Sequence, residues 1–182
     1  MNQINYVGLL CGFLLISPIN EVKSQTTIVK TQSAHPWWVN FGAGPAYIGT
    51  DFAMTAGMVY CYQIERSIIS ARIIGITNIN PTVQRISASS TKYKMADYGI
   101  LYGPMWQSEC CYTSISAGLG LVRAAYETST KITTNTSISL PLESQFFWRP
   151  TYFAGIGIYI YASINFEKPI YGIMLCCQFG MW

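Results

Sequence analysis

The sequence predicts an all-β chain, closed as an up-and-down antiparallel transmembrane barrel of about eight strands and preceded by a signal peptide. Three observations carry this expectation. The 182 residues are 51% hydrophobic and 14% aromatic but only 10% charged, whereas soluble globular proteins carry about 25% charged residues. A surface so poor in charge suits something other than water. No run reaches the ~20 consecutive apolar residues of a membrane-crossing helix, because Gly, Ser, Thr, Asn or a charge interrupts each one. Beyond residue 36 the chain instead divides into segments of roughly ten residues with period-two patterning, the length a tilted strand needs to cross a bilayer.

The first element is an export leader. Residues 1–6 are polar, and residues 7–16 form an apolar core too short to span a membrane. Small or apolar residues precede Ser24, so cleavage is expected after it. No Lys or Arg precedes the core, and the amino terminus alone supplies positive charge there. The chain is thus divided into a signal peptide at 1–24, a polar tail at 25–36 and a barrel domain at 37–182.

Eight segments follow, at 37–47, 53–63, 67–77, 95–105, 111–122, 137–148, 152–163 and 170–181. The seventh shows the alternation best: Tyr152, Ala154, Ile156, Ile158 and Ile160 form one face, and Phe153, Gly155, Gly157, Tyr159, Tyr161 and Ser163 the other. In the fifth, Ile115, Ala117, Leu119 and Leu121 oppose Ser114, Ser116, Gly118 and Gly120. In the eighth, Tyr171, Ile173, Leu175, Cys177, Phe179 and Met181 make the apolar phase. The apolar phase suits lipid, and inward glycine suits a narrow, crowded barrel.

Connector lengths point the same way without using hydropathy. The connectors at 64–66, 106–110 and 149–151 are short. Those at 78–94 and 123–136 are long and polar, while those at 48–52 and 164–169 are intermediate or short. Long connectors at odd positions only are the mark of up-and-down strands with one looped end. An even strand number places both chain ends on the same side. Tyr47, Tyr60, Tyr62, Tyr98, Tyr102, Trp106, Trp148, Tyr152 and Tyr171 lie mostly near segment ends, as rings at the headgroup level would.

With leader, segments, asymmetric connectors and the terminal Trp182, the chain resembles the small eight-stranded outer-membrane β-barrel proteins of Gram-negative bacteria from about Trp37 onward. The resemblance implies residence in the cell outer membrane, contact with its lipid, and recognition of the last strand by the outer-membrane assembly machinery, which prefers a C-terminal aromatic. Here Trp182 falls in phase with Gln178 rather than with Phe179 and Met181. The likeness is architectural and assigns no activity.

The chemistry-bearing residues are few. Four charges fall in the inward phase: Arg72, Asp97, Glu143 and Arg149. A charge in a narrow barrel is costly unless paired, so opposite signs should meet and form a structural polar plug. Arg72 and Asp97 lie on consecutive segments and face each other if the connector closes around residues 79–90; Glu143 is the second candidate partner. A proton or ion path through these charges is the weaker alternative, because an eight-stranded interior is filled by side chains.

No catalytic residue is assigned. The single His35 precedes the first segment with no acid near it in sequence, and a serine-type hydrolase needs a His oriented by an acid. Of the six Cys, Cys11 falls in the leader and lacks the preceding small residues of a lipid-anchor site. Cys61, Cys110, Cys111, Cys176 and Cys177 remain, an odd count with two vicinal pairs that fits no disulfide framework. Adjacent strand residues point to opposite faces, so each pair is expected to split between interior and lipid. Without His or acids at ligand spacing, the thiols read as small apolar fillers and no metal site or cofactor is expected. The connector at 78–94 holds Arg85, Lys92 and Lys94 without an acid, which suits anionic headgroups or a surface polymer. No nucleic-acid motif occurs, and oligomeric state is not legible. The functional reading is a noncatalytic envelope, adhesion or surface-contact protein, with a lipid-modifying outer-membrane enzyme or a secreted lipocalin-like binding barrel as alternatives.

Overall fold

The computed structural model describes residues 36–78, 92–128, 131–166 and 168–181. The leader, nearly all of the tail including His35, and Trp182 lie outside the described residues. Eight strands follow in order: β1 Trp37–Ile48, β2 Asp51–Ile64, β3 Ser67–Asn78, β4 Lys92–Gln107, β5 Cys111–Thr128, β6 Lys131–Trp148, β7 Ala154–Asn165 and β8 Ile170–Met181. Each is antiparallel to its sequence neighbour, and β8 returns to β1 with Trp37 opposite Met181, which closes the barrel. Closure leaves the barrel wall without an unpaired edge, which a single sheet could not achieve in lipid.

Local chemistry sets the turns. Two-residue turns join β1 to β2 at Gly49–Thr50 and β2 to β3 at Glu65–Arg66. Tight hairpins of this kind call for positive φ, supplied by Gly49 at 61° and by Glu65 at 50°. Before β7 the Thr151 hydroxyl accepts from the Ala154 N–H at 3.0 Å, forming a turn that takes up Tyr152 and Phe153. The expected strand start at residue 152 therefore moves to Ala154.

The larger correction concerns 123–136, expected as a long loop. The ladder between β5 and β6 continues through Arg123 opposite Thr136 and Ala125 opposite Thr134 to Thr128 opposite Lys131. Threonine is β-branched and favours extended backbone whatever lies beside it. Alternation fails as a signal there because both faces are polar, and Thr133, Thr134 and Thr136 are all exposed. The pairing of β6 with β7 stops at Ser139 opposite Asn165, and that of β3 with β4 at Thr77 opposite Lys94. Strands β5 and β6 consequently run well beyond β7, with residues 131–138 of β6 lacking a β7 partner, and β4 accompanies them, extending two residues past its last β3 pair.

The core lies inside the barrel, and a second set of large aliphatic residues lies outside it. Leu119 is 73% exposed and Ile100 68%, while Arg72 is 1% and Asp97 0%. Ile156, Ile158, Ile160, Ile173 and Leu175 also face out, and Trp38, Tyr112, Phe147, Tyr159 and Met174 fill the centre. An outer face so rich in large apolar side chains departs from the usual surface of a soluble protein.

Candidate functional site

The interior is occupied by a hydrogen-bonded polar network in two linked regions, and each member comes from the inward phase of its strand. In the first, Arg72 of β3 donates from Nη2 to Asp97 Oδ2 of β4 at 2.7 Å. Arg72 also donates to Ser163 Oγ at 2.9 Å and to the carbonyls of Leu142 and Ala162, both at 3.1 Å. Ser163 in turn donates to the same Asp97 oxygen at 2.8 Å. The guanidinium carbon stands 5.5 Å from the centre of the Tyr161 ring. A cation that cannot shed its proton is thus held by one anion, one hydroxyl, two carbonyls and an aromatic face.

The second region surrounds Glu143 of β6. Its carboxylate accepts from Ser70 Oγ at 2.6 Å, from Gln145 Nε2 at 2.9 Å and from the Tyr159 hydroxyl. Three neutral donors take the place of a cation. Gln145 Oε1 accepts from Tyr112 Oη at 2.9 Å and Asn40 Nδ2 at 3.1 Å, and Tyr112 Oη accepts from Trp38 Nε1 at 3.0 Å and Gln178 Nε2 at 2.9 Å.

Arg149 lies just past β6, with its guanidinium carbon 4.9 Å from the centre of the Tyr112 ring, and Phe147 stacks on the same ring at 5.4 Å. Burial pushes its guanidinium below the ordinary arginine value, partly offset by Tyr112 and Cys111. The four inward charges therefore do not form one cluster. Arg72 joins Asp97, while Glu143 is satisfied by neutral groups and Arg149 closes the short-turn end.

The network also contains Asn40, Ser70, Tyr112, Gln145, Tyr159 and Gln178, which charge alone does not single out. Their signal was a polar or phenolic side chain in the inward phase. Among the described residues no group of three or more His, Cys, Asp or Glu side chains could hold a metal ion. The arrangement can neutralise charge and lock neighbouring strands together, and large side chains fill the space between its members.

Solved structures share this architecture. Neisserial surface protein A aligns with a TM-score of 0.60 at 14% identity, covering 82% of this chain and 97% of that one. Ail, the attachment invasion locus protein of Yersinia pestis, aligns at 0.57 and 12%, covering 81% and 97%. The N-terminal β-barrel domain of Pseudomonas aeruginosa OprF aligns at 0.55 and 11%, again covering 81% and 97%. The fold is that of the small outer-membrane barrels. No protein-family model matches the sequence, and no curated protein does. In barrels of this fold an apolar exterior is the face turned to lipid.

Proposed function

We propose that the chain is an integral outer-membrane protein whose barrel is a noncatalytic anchor and whose projecting β4–β5–β6 sheet makes surface contacts. The outer surface carries this reading: large aliphatic and aromatic residues face outward along the strands, while the charged side chains Arg72, Asp97 and Glu143 are buried inside a filled interior of mixed character. In water that exterior would be a very large apolar patch. The same features disfavour a secreted lipocalin-like barrel, which needs a polar exterior and a hollow centre. The reading takes 1–24 as the export leader and 25–36 as a polar tail.

Two further observations support the contact role. Lys94 and Arg123 face outward on neighbouring strands near the projecting end, where anionic headgroups or polymers would meet them. Ail, of similar fold, bears attachment and invasion in its name and has a structure in complex with the heparin analogue sucrose octasulfate.

Fractionation with heat-modifiable gel mobility tests the anchor, and a soluble periplasmic protein would reject it. For the contact role, residues 126–133 are replaced by a two-residue Asn-Gly turn closing the Ala125–Thr134 pair. Cells displaying this shortened form should adhere less to surfaces coated with sulfated polysaccharide than cells displaying the full chain. Equal adhesion would remove the contact role and leave the anchor.

A further inference from the structure

The two vicinal cysteine pairs have different fates. Cys176 and Cys177 lie within β8, where alternation buries the first and turns the second outward. Cys110 sits in the bend before β5, where alternation does not apply, and its Sγ lies 3.6 Å from that of Cys111. The expectation that both pairs split between faces thus fails for Cys110 and Cys111. Two backbone hydrogen bonds hold the bend: Ser108 N–H donates to the Cys111 carbonyl at 2.8 Å, and Arg149 N–H to the Cys110 carbonyl at 2.6 Å. Both thiols are free, Cys110 exposed and Cys111 partly so.

Adjacent thiols can join to each other or share a third atom. Consecutive Cα atoms stand about 3.8 Å apart across a trans peptide, whereas disulfides ordinarily span about 4.4–6.8 Å between Cα atoms. Closing this pair would therefore strain a bend that its hydrogen bonds already hold. A shared metal ion demands much less. Thiolate–metal bonds of about 2.3 Å place two sulfurs of a tetrahedral site roughly 3.8 Å apart, close to the separation already present.

We infer that Cys110 and Cys111 form a chelating dithiol for one soft, thiophilic metal ion at the short-turn mouth of the barrel. Thiolate pairs select ions such as Cu(I) over hard cations. Binding releases both thiol protons to solvent and changes no oxidation state. Water or a donor from another molecule completes the coordination, so the site suits transient holding of an ion rather than a closed structural centre. The inference depends on the bend geometry alone and stands apart from the surface-contact reading.

The test titrates the full chain, folded in detergent under anaerobic conditions, with Cu(I) against a competing chromogenic chelator. Accessible thiols are first counted by alkylation and mass. The wild type should bind one ion with both Cys110 and Cys111 alkylatable beforehand. Cys110→Ser and Cys111→Ser should each weaken binding by about 100-fold or more, as expected when one of two linked donors is lost. Cys177→Ser should leave it unchanged, and heat-modifiable mobility verifies that every variant is folded. Unaltered binding in either bend variant overturns the inference. So does a pair that resists alkylation until reduced, since the two sulfurs would then already be joined.

Discussion

Arg72 and Asp97 meet on the diagonal and not across the ladder: Arg72 stands opposite Gly99 and Asp97 opposite Ile74, yet Nη2 and Oδ2 are 2.7 Å apart. The long guanidinium arm spans the offset, and Gly99 presents no side chain to block it. Direct opposition, as anticipated from consecutive segments, would have set the loop differently. The observed register instead lets Arg72 reach Ser163 and the Leu142 and Ala162 carbonyls on the far wall. One side chain thereby ties β3 to β4, β6 and β7.

Asp97→Asn should destabilise the barrel by about 3–5 kcal/mol, because it strands a buried cation. Arg72→Gln in the same chain should recover part of that loss, giving a non-additive double-mutant cycle. The exposed pair of Asp51 and Lys168, 3.6 Å apart, provides the control: Asp51→Asn should cost less than ~1 kcal/mol. Urea unfolding in detergent measures all four variants, and strictly additive effects at Arg72 and Asp97 would reject their coupling.

Two buried serines should respond oppositely to truncation. Ser70 donates to Glu143, so Ser70→Ala is expected to cost about 1.5–3 kcal/mol, the range for hydrogen bonds to charged groups. The buried Ser116 hydroxyl has no hydrogen-bond partner. Ser116→Ala should therefore be neutral or stabilising by up to ~1 kcal/mol. The same unfolding assay decides it, and equal losses at both positions would contradict the network as drawn.

On the outer face, Ile158 sits near the middle of β7 opposite Leu175 and Phe146. Ile158→Arg should cost about 2–4 kcal/mol in lipid. Gly157→Ala should be damaging for a different reason, since its Cβ would collide with the Phe146 carbonyl and the Phe147 ring. Folding yield into vesicles measures both, and an arginine variant that folds like wild type would show the facing to be wrong.

Epitope tags locate the two ends. A tag after Thr134, in the projecting sheet, should be reached by antibody on intact cells, whereas tags at Arg66 or Ser108 should be reached only after the outer membrane is permeabilised. The opposite pattern would invert the topology.

The enzyme alternative rests on His35, because a hydrolase of that type has no other imidazole to use as its base. Cells making His35→Ala should show the same lipid profile as cells making the wild type. A difference between them would restore the catalytic reading.

Much of the architecture was legible in the chain itself. Alternation alone assigns Ile156 and Ile158 to one face and Tyr159 and Ser163 to the other, since facing depends only on period two along a single strand. Arg72, Asp97 and Glu143 were legible as inward for the same reason. Illegible were the neutral donors around Glu143, as Ser70 and Tyr159 lie 73 and 16 residues away from it. The extent of β5 and β6 was hidden by the absence of contrast between faces in a threonine-rich stretch.

The sequence by itself determined which side of the wall the residues of the alternating segments occupy, because lipid and interior impose opposite demands on alternate positions. Only the tertiary structure decided which inward groups meet, how far the β4–β5–β6 sheet projects, and that Cys110 and Cys111 lie together. Those outcomes depend on closure, which sets all eight registers at once, and on bends where alternation lapses. A local pattern records the direction of a side chain, whereas partnership is fixed by the stagger of strands that the pattern does not contain.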